Sequence, residues 1–272
     1  MSKSAEVSKP ARRVSLRSLW VPFGLLAGVI VLFLALPLLK MVFGVDLSIL
    51  RDTALDAAVI GAIWLTLYAA LIATAAGCIF GVPLAYLLAR LEFPGKRILE
   101  SLVDLPIVVP HTAAGIALLF VFGRNFLFGQ LFGKVGVEFV DSTAGIVIAM
   151  LFVSVPFLID SAKEGFRKVD VRLEKAARSL GASPRQVFFR ISLPLCWQNI
   201  LTGNIMMWAR GISEFGAVII LTYHPMTAPV LIYERFETLG LSYAQPVAVL
   251  LILVTVVIFI GLRVLLYRRE KA

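Results

Sequence analysis

Residues 19–39 form one apolar run without a single charge. A backbone crossing hydrocarbon must satisfy its own hydrogen bonds, and a helix of roughly 20 residues does so over about 30 Å. Five further stretches repeat the pattern, at 54–89, 101–122, 143–159, 195–223 and 243–262. The sequence therefore predicts an all-α integral membrane protein with six transmembrane helices. The second run exceeds a bilayer at about 1.5 Å per residue. With Asp56 its only charge, it is expected to be one long helix that projects from the membrane or bends near Pro83, where the ring removes a backbone hydrogen bond. The chain is 60% hydrophobic and 16% charged, with a mean hydropathy of +0.92. That is more apolar surface than one soluble core hides.

The formal net charge of +9 suggests a nucleic-acid ligand until the basic positions are mapped. With a cytoplasmic N-terminus, twenty basic residues fall inside: five in the tail 1–18, three at positions 90–97, eight between 160 and 194, and four after 262. Arg51, Arg124, Lys134 and Arg235 alone fall in the outer loops. Basic side chains resist translocation, so this bias puts both termini in the cytoplasm, and no nucleic-acid partner is expected. The expected organisation is a basic tail (1–18), a six-helix domain (19–266) with a cytoplasmic loop at 160–194, and a C-terminal tail (267–272). The first run is longer than the about 7–15 residues of a secretory signal core, and no Ala-x-Ala site follows it, so a retained helix is expected. Cys78 and Cys196 lie in or beside apolar segments, which excludes a disulfide framework. His111 and His224 are the only histidines, and no metal site is expected.

The loop DSAKEGFRKVDVRLEKAARSLGASPRQVFFRISLPL, residues 160–195, carries the most local information. Leu173, Ala176, Ala177 and Leu180 fall at i, i+3, i+4 and i+7 and share one helical face. Glu174, Lys175 and Arg178 point elsewhere. Asp170 is placed to cap the helix start, and Gly181 to end it in the left-handed conformation. Ser183-Pro184-Arg185-Gln186 opens a second helix with a capping box and Pro at the first position. Pro194 is expected to break the chain before the fifth span. Two short helices meeting at a Gly181-Ala182-Ser183-Pro184 corner suit either the headgroup region or docking on a protein. The small face at Ala176, Ala177 and Leu180 favours protein.

This loop resembles the EAA signature of ATP-binding-cassette (ABC) importer permeases, in which Glu-Ala-Ala is followed after three residues by Gly and after nine more by Ile-x-Leu-Pro. Ala176, Ala177, Gly181, Ile191, Leu193 and Pro194 match at that spacing. Lys175 stands where the family has Glu, with Glu174 immediately before it. The resemblance implies a type I importer permease bundle whose loop, from Glu174 and Lys175 through Leu180, Ala182, Ser183 and Pro184 to Pro194, seats on a separate ATPase subunit. No G-x-x-x-x-G-K-[ST] phosphate loop is present. Neither catalytic residues nor a cofactor are expected in this chain, and ATP–Mg belongs to the partner ATPase.

Membrane-embedded polar residues are expensive and mark candidate sites. Arg210 and Glu214, with Ser213 between them, fall at i, i+4 in the fifth run. They either line a path for an anion or hold the helices together. His111, after Pro110, is a further candidate lining residue whose bland reading is packing. Asp104 and Asp160 receive no role. Pro106 and Pro110 are expected to break or bend the start of the third run.

The strings LPIVVPHTAAGIALL, SEFGAV and TAPVLIYERF resemble the oxyanion branch of these permeases, and most of all its molybdate/tungstate members. That resemblance implies a homodimeric pore, two ATPase subunits, an extracytoplasmic oxyanion-binding protein, and the segment 224–241 on the outer side. Sulfate or another anion is the alternative cargo. An ion-coupled anion transporter is more remote, since no matching halves are seen. An intramembrane hydrolase lacks a nucleophile–base pair.

Overall fold

A computed structural model describes residues 17–270. The predicted N-terminal tail, apart from positions 17 and 18, and the last two residues of the C-terminal tail lie outside the described residues. The regular structure of the described residues is all helical, with no strand. By contacts, the chain divides after Ile49. In the first unit, α1 (Arg17–Phe43) keeps Pro22 and Pro37 within one helix and buries none of its described side chains. It is followed by α2 (Leu47–Leu55).

In the second unit the helix expected over 54–89 starts only after Asp56, since residues 54 and 55 belong to α2. The Asp56 carboxylate accepts from the Ala58 N–H at 2.8 Å and caps α3 (Ala57–Arg90), which carries Pro83 inside. At 34 residues, α3 is about 50 Å long and exceeds the hydrocarbon layer. The single helix expected over 101–122 is two: α4 (Lys96–Val108) and α5 (His111–Phe122), set 116° apart. Pro110 supplies no N–H and forces Val109 into extended backbone (φ −67°, ψ 132°), whereas Pro106 stays inside α4.

A short α6 (Leu127–Gly133) precedes α7 (Thr143–Lys168). α7 runs nine residues past the expected end at 159, so the loop expected from Asp160 begins at Val169 instead. Asp160 and Lys163 pair at 2.8 Å on this extension, and Arg167 reaches Glu100 of α4 at 3.2 Å. α8 (Val171–Ser179) and α9 (Pro184–Val187) are the two expected short helices. Pro194 does not break the chain. A π-turn (Phe188–Ser192) leads directly into α10 (Leu193–Ile212), and the Leu193 N–H reaches back five residues to the Phe188 carbonyl. Widening the turn accommodates the proline that would clash in an ordinary α-turn.

The expected 195–223 run also divides, at Ser213–Phe215, between α10 and α11 (Gly216–Leu221). α12 (Ala228–Leu239) follows, then α13 (Leu241–Glu270). Among the described residues, four helices are long and apolar enough to cross a membrane, or five if α4 and α5 count as one span.

α7 is the centre of the second unit, packed on α3 and α10. Small residues permit the approach. A Cβ on Gly203 of α10 would lie 2.9 Å from the Ser161 side chain, and one on Gly165 of α7 would lie 2.5 Å from Cys196 Sγ. Two buried clusters result along this axis, one around Ala70, Met150, Ile212 and Val218, the other around Leu88, Leu158, Phe166 and Ile200. The large exposed apolar side chains of α3 and α13, among them Trp64, Phe80, Val257 and Ile260, are what a lipid-facing surface requires.

Candidate functional site

The four embedded candidates come together where two helices break. His111 is the first residue of α5 and Glu214 lies in the gap between α10 and α11. Glu214 Oε2 is 2.7 Å from His111 Nδ1 and 2.9 Å from Arg210 Nη2. Its other oxygen, Oε1, accepts from the Ala217 N–H at 2.8 Å, which satisfies one open donor of α11. Arg210 Nη1 donates to Ser213 Oγ at 3.2 Å. The Glu214 side chain is 1% exposed, Arg210 23% and His111 35%.

Glu214 is therefore the buried anchor, while the guanidinium and imidazole form the accessible side of the group. The expected i, i+4 pair of Arg210 and Glu214 forms, but with Glu214 just beyond the end of α10 at Ile212. His111 is a member of the cluster and not a separate packing residue. Glycines bring the two broken ends together. A Cβ on Gly216 would sit 2.7 Å from His111 Cβ, and one on Gly115 would sit 2.9 Å from the Ala217 carbonyl.

The second candidate site is the α8–α9 corner. The predicted caps form. Asp170 accepts from the Arg172 N–H at 2.8 Å, and Gly181 takes φ +88°. Ser183 Oγ accepts from the Gln186 N–H at 3.3 Å while Gln186 Oε1 accepts from the Ser183 N–H at 2.8 Å. Ala177, Leu180, Gly181, Ala182 and Ile191 line one groove with Gln186 and Arg190. Leu173, Ala176 and Leu180 are exposed, Leu180 at 89%. An amphipathic helix turned apolar side outward needs another surface to cover it.

Glu174 is the departure from expectation, because it faces inward. It receives Arg90 Nη2 at 2.8 Å, Arg90 Nε at 3.0 Å and Ser192 Oγ at 2.7 Å, with Tyr86 Oη at 3.4 Å. Arg90 and Ser192 were not among the sequence candidates. The available signal was Arg90 itself, a charge closing a long apolar helix. Lys175, at the position of the family's Glu, is exposed.

The family model for the "Binding-protein-dependent transport system inner membrane component" matches residues 81–271. A Pyrococcus furiosus protein named "Molybdate/tungstate transport system permease protein WtpB" is 44% identical over 92% of this chain and 96% of its own length. A Chlorokybus atmophyticus "Probable sulfate transport system permease protein cysT" is 32% identical over 89% and 87%. Among solved structures, a bacterial ABC transporter for import of the acidic polysaccharide alginate matches with a TM-score of 0.71 at 16% identity, covering 94% of this chain and 97% of that one. The alginate transporter in complex with its pentasaccharide-bound periplasmic protein matches at 0.70 and 17%, over 91% and 93%.

Proposed function

The chain belongs to the family of binding-protein-dependent transport system inner membrane components, and from that premise we propose that it is the permease subunit of an ABC importer for molybdate and tungstate. It is a multi-pass membrane protein. The observation that carries the cargo assignment is the 44% identity to a molybdate/tungstate permease along nearly the whole chain, against 32% to a sulfate permease.

In this reading two copies form the pore, each with six spans once the broken pairs α4–α5 and α10–α11 each count as one, and with both termini in the cytoplasm. Two ATPase subunits, which bind ATP–Mg, seat on the α8–α9 corners of the two copies. An extracytoplasmic oxyanion-binding protein delivers cargo near α12. Arg210, with Ser213 and His111 beside it, offers a planar cationic donor to the passing oxyanion, and Glu214 holds that donor in place. ATP binding shifts the pore between inward- and outward-open states because the ATPase pair has different affinities for the two, which is a coupling free energy between sites.

The test is reconstitution of this chain with its ATPase and binding protein in vesicles. ATP-dependent uptake of molybdate or tungstate, resistant to excess sulfate, is expected. Sulfate uptake of equal efficiency would move the cargo assignment, and uptake driven by an ion gradient without ATP would overturn the importer class.

A further inference from the structure

We infer that Glu174 acts as an internal latch, tying the cytoplasmic docking helices to α3 and to the root of α10, so that it positions α8 for coupling and does not itself touch the ATPase. The inference rests on the permease reading above.

Two other parts of the chain bond this carboxylate, α3 through Arg90 and Tyr86 and the π-turn through Ser192. Arg90, at the end of α3, presents Nη2 and Nε to Glu174, and the same Nη2 donates to the Val169 carbonyl at 3.1 Å in the α7–α8 link. Ser192 is the last residue of the π-turn through which α9 becomes α10. Tyr86 closes the group, its ring 5.1 Å from Phe166 and 4.9 Å from Phe188 between centroids. The Arg90 and Glu174 side chains are 11% and 10% exposed, and Ser192 is fully buried. A buried carboxylate is tolerated only with its charge paired and its lone pairs filled, and this one accepts from three side chains.

On α8 Glu174 is buried, while Leu173 and Ala176, and Leu180 just past its end, are exposed. A force applied to the outer face therefore has a short, dry, directional route to α3 and α10. Without it, α8 is held by its chain links and by its neighbours α9 and the π-turn, because Glu174 is its one buried residue. Ser192 Oγ marks where that route enters α10. A π-turn is a single widened turn within a helix, and such turns are frequent at functional sites.

The experiment uses the reconstituted complex of permease, ATPase and binding protein, comparing Glu174→Gln and Ser192→Ala with wild type. Three quantities are read: ATPase co-purified per permease, anion uptake, and ATP hydrolysed per anion moved. The latch predicts normal ATPase stoichiometry with at least fivefold more ATP spent per anion in Glu174→Gln, a smaller rise in Ser192→Ala, and partial recovery when Arg90→Lys is compared with Arg90→Ala. If Glu174→Gln does not fold, Ser192→Ala and Tyr86→Phe, which remove a single donor each, carry the test. An unchanged ATP-per-anion ratio in the folded variants overturns the latch. Loss of the ATPase from Glu174→Gln, with a normal ratio in the complexes that remain, overturns it too, since Glu174 would then be a docking residue. Failure of the wild-type complex to couple ATP to oxyanion uptake overturns the permease reading instead.

Discussion

Glu214 and His111 stand 103 positions apart in sequence and 2.7 Å apart in space. Each sits where its helix is interrupted, His111 directly after Pro110 and Glu214 between α10 and α11. The contact gives a buried carboxylate a second partner beside Arg210. It also turns an apparent pair along one helix into a clamp between two broken ones, leaving the guanidinium partly accessible.

Replacing Arg210 tests that accessible side. Hydrogen bonds to a charged group are worth about 1.5–3 kcal/mol, so Arg210→Ala is expected to lower oxyanion uptake by roughly tenfold or more. Assembly of permease and ATPase is expected to fall less than uptake, since His111 and the Ala217 N–H still hold Glu214. Vesicle uptake normalised to complex content measures it. Normal uptake would remove Arg210 from the path.

The docking groove is tested from its floor. Ala177 lines it, and Ala177→Asp puts a charge where an apolar surface is meant to seat. Pull-down with the ATPase should fail while the melting temperature of the solubilised permease stays close to wild type. Retained binding would relocate the contact.

Packing at the α7–α10 contact is tested by Gly165→Val. The Cβ alone would lie 2.5 Å from both Cys196 Sγ and Asn199 Cβ, so the helices must separate, a strain of about 1–3 kcal/mol. Thermal unfolding should drop by several degrees. The control, Gly61→Ala on α3, meets nothing within 4 Å and should be neutral or slightly stabilising.

Asp56 carries two roles that substitution separates. It caps α3 through the Ala58 N–H and pairs with Arg235 Nη2 of α12 at 2.6 Å. The Arg235 hydrogen bond first, and the Ala58 N–H second, hold its pKa below the ordinary 3.8, outweighing slight burial. A lowered native pKa means the ionised form stabilises the fold. The contribution is complete above 3.8 and is lost as pH falls below that value through the native pKa. Asp56→Asn should therefore be less stable than wild type at neutral pH and converge with it in acid, while Asp56→Ala loses about 1 kcal/mol more through the missing cap. Melting curves from pH 7 down to about 3 decide it.

Topology is open to labelling. Tags at either terminus should be protected from external protease in intact cells and cleaved after permeabilisation. Cleavage of a C-terminal tag from outside would invert the arrangement drawn from the basic residues.

Composition, charge placement and local pattern were sufficient for the helical membrane class, the α8–α9 corner with its caps, and the identity of the four embedded candidates. These depend on hydrophobic period, on cap residues and on single φ angles, all local quantities that a linear sequence displays. The breaks were harder. Pro110 is legible as an interruption, but its 116° consequence is not, and at Pro194 the local pattern signals a break where the fold instead inserts a π-turn that carries α9 into α10. Which side of α8 carries Glu174 inward, and that Arg90 and Ser192 wait for it there, depended on packing between α3, α8 and the root of α10. Burying a charge is decided by partners distant in sequence, and only the folded chain brings those partners within 3 Å.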